Sequence, residues 1–163
     1  MNAQAWINDN QWVLYLAPTL VVAAPCAVFF LISRLSGWVL LAGRFRTSEA
    51  FYGETWKWQS GRFRGWCGYN NCLTVGASPE ALYLSVMLPF RLFHPPLLIP
   101  WREIEVEKGK ALFGFYDTAR MRMGCEERVS FRIYGVLVNR VRQAAGPGWP
   151  LYYLEQMEGQ SKG

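Results

Sequence analysis

The chain has 163 residues, of which 52% are apolar and 18% are charged, and its net charge is +5. Intrinsic disorder is excluded, because disordered chains combine low hydrophobicity with high charge. A small disulfide-stapled domain is also excluded, since four cysteines are too few for one at this length. The length suits one average domain with some additional sequence.

The first element in the chain is an apolar segment near the N-terminus. No charged residue occurs in the 24 positions between Asp9 and Arg34, and 18 of the 21 residues from Trp12 to Ile32 are apolar. A helix of about 21 residues covers about 31 Å, enough to cross a hydrocarbon core of about 30 Å. The segment predicts a single transmembrane helix over residues 12–32, within an anchor of residues 1–33. A cleaved signal peptide and a buried core helix are the alternatives, although no basic residue precedes the segment as a signal peptide requires.

Basic residues are distributed unevenly about this segment. None precedes it, whereas Arg34, Arg44 and Arg46 follow it closely. Because Lys and Arg are retained on the cytoplasmic side of a membrane, the N-terminus is predicted outside and the rest of the chain in the cytoplasm. In that reducing compartment Cys67, Cys72 and Cys125 are predicted to be free thiols.

Residues 34–55 are predicted to form a basic juxtamembrane connector. In one interpretation Leu40, Leu41 and Phe45 lie on the membrane while Arg44 and Arg46 contact lipid head groups. In the other, this segment is an ordinary first helix that packs on the following domain. The sequence favours neither.

Alternation of large and polar residues, typical of strands, begins at Trp56. It predicts about seven short antiparallel strands in a domain over residues 56–146. The interruptions contain Gly, Pro, Asn or Ser, which favour turns and bulges. They are a bulge or turn at Ser60-Gly61, turns at residues 68–71 and 76–80, a loop over 89–96 and a hairpin around 107–110.

The last element has the period of a helix. Four apolar residues fall at i, i+4, i+7 and i+11; they are Tyr134, Val138, Val141 and Ala145. A Gly-Pro-Gly sequence follows, which ends a helix. We predict an amphipathic helix over residues 134–145 and a tail over 147–163. The fold class is therefore α+β: a transmembrane helix, then an antiparallel β-barrel or sandwich closed by one C-terminal helix.

Two segments carry a resemblance to a known family. Residues 74–84 (TVGASPEALYL) form a strand, a turn and a strand, and residues 98–104 (LIPWREI) end a strand in a short helical turn. These segments, within seven strands and one C-terminal helix, resemble the pleckstrin-homology (PH) superfold, in particular its GRAM-like and bacterial members. The resemblance covers roughly residues 56–145 and implies a PH-like β-barrel.

The whole chain also resembles a group of small bacterial membrane-anchored proteins, which implies a bacterial inner membrane as its location. The phosphoinositide-binding members of the PH superfold share a Lys-x-Arg-type pair across their first hairpin. Lys57, Arg62 and Arg64 are the nearest candidates here and do not match that pair. The resemblance therefore implies a fold and a location, and leaves the ligand open.

Few residues in the sequence support catalysis. His94 is the single histidine and precedes two prolines, a setting more typical of a loop than of a general base. Cys67 and Cys72 form the one close cysteine pair, and a closed zinc site needs four ligands. We expect no enzyme activity, no cofactor and no bound metal. Nucleic acid is not expected either, because aromatic residues at strand spacing are more simply the barrel core.

Basic residues provide the remaining signal, with six arginines between positions 120 and 142. They are Arg120, Arg122, Arg128, Arg132, Arg140 and Arg142. We expect a basic surface that contacts anionic phospholipid head groups, to which each charge contributes about 1 kcal/mol. A merely solvated basic face is the alternative. The candidate binding residues are Arg44, Arg46, Lys57, Arg62, Arg64, Arg120, Arg122, Arg140 and Arg142.

Together these features predict a non-catalytic, membrane-tethered binding or scaffold module, with anionic lipid or a protein as its partner. The alternative is an accessory subunit of a membrane complex. In that case small residues of the span, such as Ala23, Ala24 and Ala27, would let a partner helix approach closely.

Overall fold

The computed structural model describes residues 11–88, 90–111 and 116–150. Helix α1 spans Gln11–Leu35 and continues through Pro18 and Pro25 without a break. Its segment Pro18–Leu35 has a mean hydropathy of 1.8, and 6% of it is buried within the protein. Within the described residues this helix alone is long and apolar enough to cross a membrane.

Seven antiparallel strands follow and form one nearly closed, barrel-like sheet with the order β4-β3-β2-β1-β7-β6-β5. Two meanders, β1 to β4 and β5 to β7, are joined where β1 pairs with β7 through Arg62↔Arg132 and Phe63↔Phe131. The strands are β1 Glu54–Phe63, β2 Cys67–Ala77, β3 Ala81–Val86, β4 Leu97–Pro100, β5 Ile104–Ala111, β6 Tyr116–Met123 and β7 Val129–Tyr134.

Alternate side chains of the strands fill the interior of the barrel. In β7, Val129, Phe131 and Ile133 are buried and the residues between them are partly exposed. This alternation follows from the two-residue period of a strand, which places neighbouring side chains on opposite faces. Arg62 precedes the fully buried Phe63 and therefore lies on the outer face.

The α+β fold class is confirmed by this arrangement, which ends in the helix α3, Val136–Ala145. The buried stripe of α3 contains Leu137, Val138, Val141 and Ala145. Three of these four residues belong to the predicted stripe, while Tyr134 is the last residue of β7. The helix thus packs an apolar stripe onto the barrel, as the period of the sequence predicts.

Two predicted turns are wrong. Residues 68–71 lie within β2, and the connection between β1 and β2 falls earlier, at residues 64–66. Residues 107–110 likewise lie within β5, whose partner strand begins at Tyr116. The predicted irregularity at Ser60-Gly61 is present, because the register of β1 against β2 shifts between Gln59 and Gly61.

The segment between α1 and the sheet belongs to the barrel domain. Residues 38–45 form the helix α2, Trp38–Phe45, and Trp38, Leu41 and Phe45 join the hydrophobic core. The next residue, Arg46, forms an isolated bridge with Leu97 of the edge strand β4. Of the two interpretations of residues 34–55, this geometry is that of a first helix packed on the domain.

Candidate functional site

Three arginines stand side by side on the outer wall of the barrel. Arg62 of β1 pairs directly with Arg132 of β7, and Arg132 pairs directly with Arg120 of β6. Side chains at directly opposed positions have Cβ atoms about 4.5–5.5 Å apart, so the three guanidinium groups share one patch. We call these three residues the arginine row.

A fourth arginine comes from the turn between β1 and β2. Arg64 lies in the left-handed region with φ 49°, and its backbone N–H donates to Ser130 O at 2.8 Å. A left-handed conformation costs a non-glycine residue about 1–2 kcal/mol. Arg64, Gly65, Ser130 and the arginine row line a cleft of about 200 Å³, which we call the arginine cleft.

The charges of the cleft are compensated on one side only. On the β5 side, the guanidinium of Arg120 lies 3.8 Å from the carboxylate of Glu107, with which Arg122 also pairs. Across the described ranges, no carboxylate forms an ion pair with Arg62, Arg64 or Arg132. Like charges directly opposed on neighbouring strands destabilise a sheet, by about 0.2–1 kcal/mol per pair. Among the described side chains, the cleft therefore holds positive charge that no carboxylate pairs with on the β7 and β1 side.

The arginine cleft adjoins the end of α1. Gly37 joins α1 to α2, and a Cβ placed on it would lie 3.0 Å from both Arg64 Nε and a methyl group of Val129. Gly37 also has φ 83°, a conformation that glycine adopts without strain. The turn that carries Arg64 is thus packed against the point where the apolar helix enters the domain.

The other candidate residues lie elsewhere. Arg44 donates to Glu103 Oε1 at 3.0 Å, which ties α2 to the 3₁₀ turn before β5, and Arg122 is paired with Glu105 and Glu107. The exposed Lys57 lines a separate cleft of about 470 Å³ with Trp58 and Arg91. The remaining exposed candidates are Arg46, which follows α2, and Arg140 and Arg142 on α3.

Arg132 is the site residue that sequence reasoning does not select. It belongs to the arginine-rich run, but only the register of β7 shows that it stands between Arg62 and Arg120. The alternation of β7, in which Phe131 and Ile133 are apolar, places Arg132 on the outer face. It does not reveal which residues of the neighbouring strands are opposite.

His94 lies in a buried polar network at the junction of α1, α2 and the barrel. Its Nε2 is 2.8 Å from the hydroxyl of Tyr69, and its Nδ1 is 3.0 Å from Phe90 O. The Tyr69 hydroxyl also lies 3.0 Å from Ser36 Oγ. His94 is 1% exposed, and this burial lowers its pKa, because desolvation disfavours the charged imidazolium. These contacts fix the loop that contains His94 to the base of α1.

The four cysteines are free thiols. Burial raises the pKa of Cys67 and of Cys72, so both favour the neutral thiol. Within residues 11–88, 90–111 and 116–150, no three His, Cys, Asp or Glu side chains are grouped so that they could hold a metal ion.

No protein-family model matches the chain, and no curated protein and no solved structure is significantly similar to it. The geometry of the chain itself is therefore the basis on which its function is inferred.

Proposed function

We propose that the protein is a non-catalytic binding module, tethered by α1 to a bacterial inner membrane, whose PH-like β domain docks on anionic lipid head groups. The N-terminus lies outside and the β domain in the cytoplasm. The observation that carries this proposal is the position of the arginine cleft, whose lining residue Arg64 lies against Gly37 at the end of α1.

The order of the strands supports a PH-like domain. Two meanders that meet at β1 and β7, followed by a helix packed on the barrel, agree with the resemblance in the sequence. The segment 74–84 forms the β2–β3 hairpin, and 98–104 leads from β4 through a 3₁₀ turn into β5. Since one superfold supports unrelated functions, the ligand is inferred from the site and not from the fold.

The distribution of charge supports the orientation and the ligand. All 17 lysines and arginines follow Ile32, which is the asymmetry expected when the domain is cytoplasmic. The cytoplasmic leaflet has a negative surface potential, and this potential decays within about one Debye length, about 8–10 Å. Basic residues beside the end of a transmembrane helix lie within that distance. Residues on the far side of the domain lie outside it.

Exposed apolar residues flank the same junction. Trp66, next to Arg64 and Gly65 in the β1–β2 turn, is 62% exposed, and Leu88 and Leu92 are 75% and 72% exposed. The loop that contains the two leucines packs on α1 through Phe90, whose ring centroid is 4.8 Å from that of Phe29. Because tryptophan favours the boundary between lipid and water, these residues support a domain seated against the bilayer.

The test uses the full chain in nanodiscs with brominated acyl chains. Emission of Trp66 is isolated as the difference between the wild type and Trp66→Phe. We expect this emission to be quenched more strongly as the fraction of anionic lipid rises, and less strongly as salt is added, because screening weakens exposed charges. The matched control is Trp12→Phe, which isolates in the same way the emission of Trp12 in α1. The quenching of Trp12 should not depend on lipid charge.

Quenching of Trp66 that is independent of lipid charge and of salt would contradict electrostatic docking. In that case a protein partner bound through α1, as in an accessory subunit, becomes the better hypothesis. A stoichiometric partner that co-purifies in mild detergent and is lost when α1 is replaced by an unrelated span would then support it.

A further inference from the structure

We propose that the arginine cleft is a specific site for one terminal phosphate group, that is, a phosphate monoester on a lipid head group or on a soluble molecule. This inference deepens the proposed function, on which its lipid source depends, because it names the ligand of the same surface. A general basic surface would attract any anion in proportion to its charge. A specific binding site instead holds one phosphate group between defined side chains.

The register of the sheet shows a charge ladder that lacks its counter-charge on one side. Between β5 and β6 each arginine stands directly opposite a carboxylate, as in Glu107↔Arg120 and Glu105↔Arg122. Between β6, β7 and β1 the same ladder continues with arginine opposite arginine. A bound phosphate beside Arg132 supplies the negative charge that Glu107 supplies beside Arg120.

The dimensions of the cleft fit a single phosphate group. Its volume of about 200 Å³ is below the range of about 300–1,000 Å³ typical of sites for drug-sized ligands. Guanidinium groups bind phosphate oxygens through two parallel N–H···O bonds, and several can share one group. Ser130 also lines the cleft, and its side chain carries a hydroxyl group that can donate to a phosphate oxygen. A monoester presents three terminal oxygens and a charge near −2, and therefore engages more arginines than a diester does.

The backbone at Arg64 supports a site and not a chance cluster. Arg64 and Gly65 have φ values of 49° and 81°, so a glycine, an asparagine or an aspartate would suit position 64 better than an arginine. Strained residues of this kind concentrate at ligand clamps. The hydrogen bond from Arg64 N–H to Ser130 O holds the turn beside the arginine row.

The first experiment measures thermal unfolding of the full chain in a neutral detergent, with inorganic phosphate compared with sodium chloride at equal ionic strength. We expect phosphate to raise the unfolding midpoint of the wild type, because a ligand of the folded state stabilises it. In the double variant Arg62→Gln, Arg132→Gln the phosphate-dependent rise should disappear. Its midpoint in chloride should equal or exceed that of the wild type, since two opposed like charges are removed. A folding defect would instead lower that midpoint.

The matched control is Arg140→Gln, Arg142→Gln, which removes the same charge from the exposed face of α3. It should keep the full phosphate-dependent rise. Arg64→Asn should weaken phosphate affinity by about tenfold, the loss of one charge-assisted pair, without lowering the midpoint in chloride. The site is contradicted if phosphate and chloride act alike on the wild type, or if the control loses as much as the cleft variant.

A second experiment separates the two sources of the phosphate group. Nanodiscs with phosphatidic acid, a monoester, are compared with nanodiscs with phosphatidylglycerol, a diester, at equal surface charge, and soluble glycerol phosphate is added as a competitor. Stronger quenching of Trp66 by phosphatidic acid lipids, reversed by the competitor, supports a lipid source. Phosphate binding in detergent without a preference for either lipid supports a soluble monoester, and it contradicts the lipid source while the site stands. If the domain docks on anionic lipid but phosphate does not raise the unfolding midpoint, the proposed function stands and the phosphate site is contradicted.

Discussion

Replacement of Trp38 by alanine tests whether α2 is part of the barrel domain. The side chain of Trp38 is fully buried, with ring centroids 5.4 Å from Phe63 and 5.3 Å from His94. Its Nε1–H donates to Pro95 O at 2.9 Å. Removal of a buried tryptophan side chain costs about 3–5 kcal/mol, and the loss of the hydrogen bond adds about 1 kcal/mol. A domain of this size has a stability of about 5–15 kcal/mol, so a loss of about 4–6 kcal/mol removes a large part of it.

The assay is urea unfolding of the full chain in neutral detergent, followed by the circular dichroism of the β-strands. The matched control is Leu40→Ala on the opposite face of α2, where the side chain is half exposed, and we expect a change within about 0.5 kcal/mol. If both variants lose the same small part of the free energy of unfolding, α2 is not part of the core. The interpretation in which residues of α2 lie on the membrane is then correct. If Trp38→Ala loses the expected stability and Leu40→Ala does not, any water-soluble form of the domain must begin before α2.

Three further predictions concern the stability of the folded domain. Because the pKa of His94 is lowered in the folded chain, the unfolded chain binds more protons than the folded chain below pH 6.5. The free energy of unfolding should therefore fall as the pH drops below 6.5, by at most about 1.4 kcal/mol per pH unit. Urea midpoints at pH 7.5 and 5.5 measure this, and a slope that persists in His94→Gln would refute it. Gly61→Ala should cost about 1–3 kcal/mol, because its Cβ would overlap the ring of Phe131. Gly43→Ala, where a Cβ meets nothing within 4 Å, should instead stabilise α2 by up to about 1 kcal/mol in the same unfolding assay.

Elements with a strong local period were predictable from the sequence. The described part of the uncharged stretch, residues 11–33, is a continuous helix, and the apolar stripe that includes Val138 and Val141 is the buried face of α3. In both cases the pattern lies within the element itself, so it does not depend on what the element contacts. Strands β1 and β3 are also present as predicted, but burial does not alternate along them: the aromatic Trp58, expected in the barrel core, is 63% exposed, and β3 is buried at all but one of its positions.

The wrong turns show where tertiary contacts override local preference. Residues 68–71 contain Gly and two Asn, which favour a turn, but Asn71 instead takes φ 51° inside β2. Its backbone N–H donates to Ser60 Oγ at 2.9 Å, and Ser60 Oγ donates to Asn71 Oδ1 at 2.9 Å. These turn-forming residues therefore produce an irregularity opposite the bulge of β1, and the strand continues beyond it.

The second wrong turn has a different physical reason. Residues 107–110 are Glu-Lys-Gly-Lys, which resemble a solvated hairpin, yet they lie in the edge strand β5. Charged residues are common on such edges because they prevent pairing with other chains. The arginine row was not predictable from the sequence either, and the reason is related. Which residues are directly opposed depends on the register, and a shift of the turn by three or four positions changes every pair.

The short connection between α1 and α2 fixes the orientation of the arginine cleft relative to α1. A flexible linker would raise the local concentration of the domain at the membrane but would leave its orientation free. Here α1 ends at Leu35 and α2 begins at Trp38, and the Ser33 hydroxyl donates to Phe93 O at 2.6 Å. Ser33 and Ser36 are fully buried, so α1 and the barrel domain share a packed and hydrogen-bonded interface. If α1 is held in a bilayer, the same wall of the barrel is always the wall beside the lipid surface. A site on that wall meets head groups without a rotational search, whereas the same arginines on the exposed face of α3 would not.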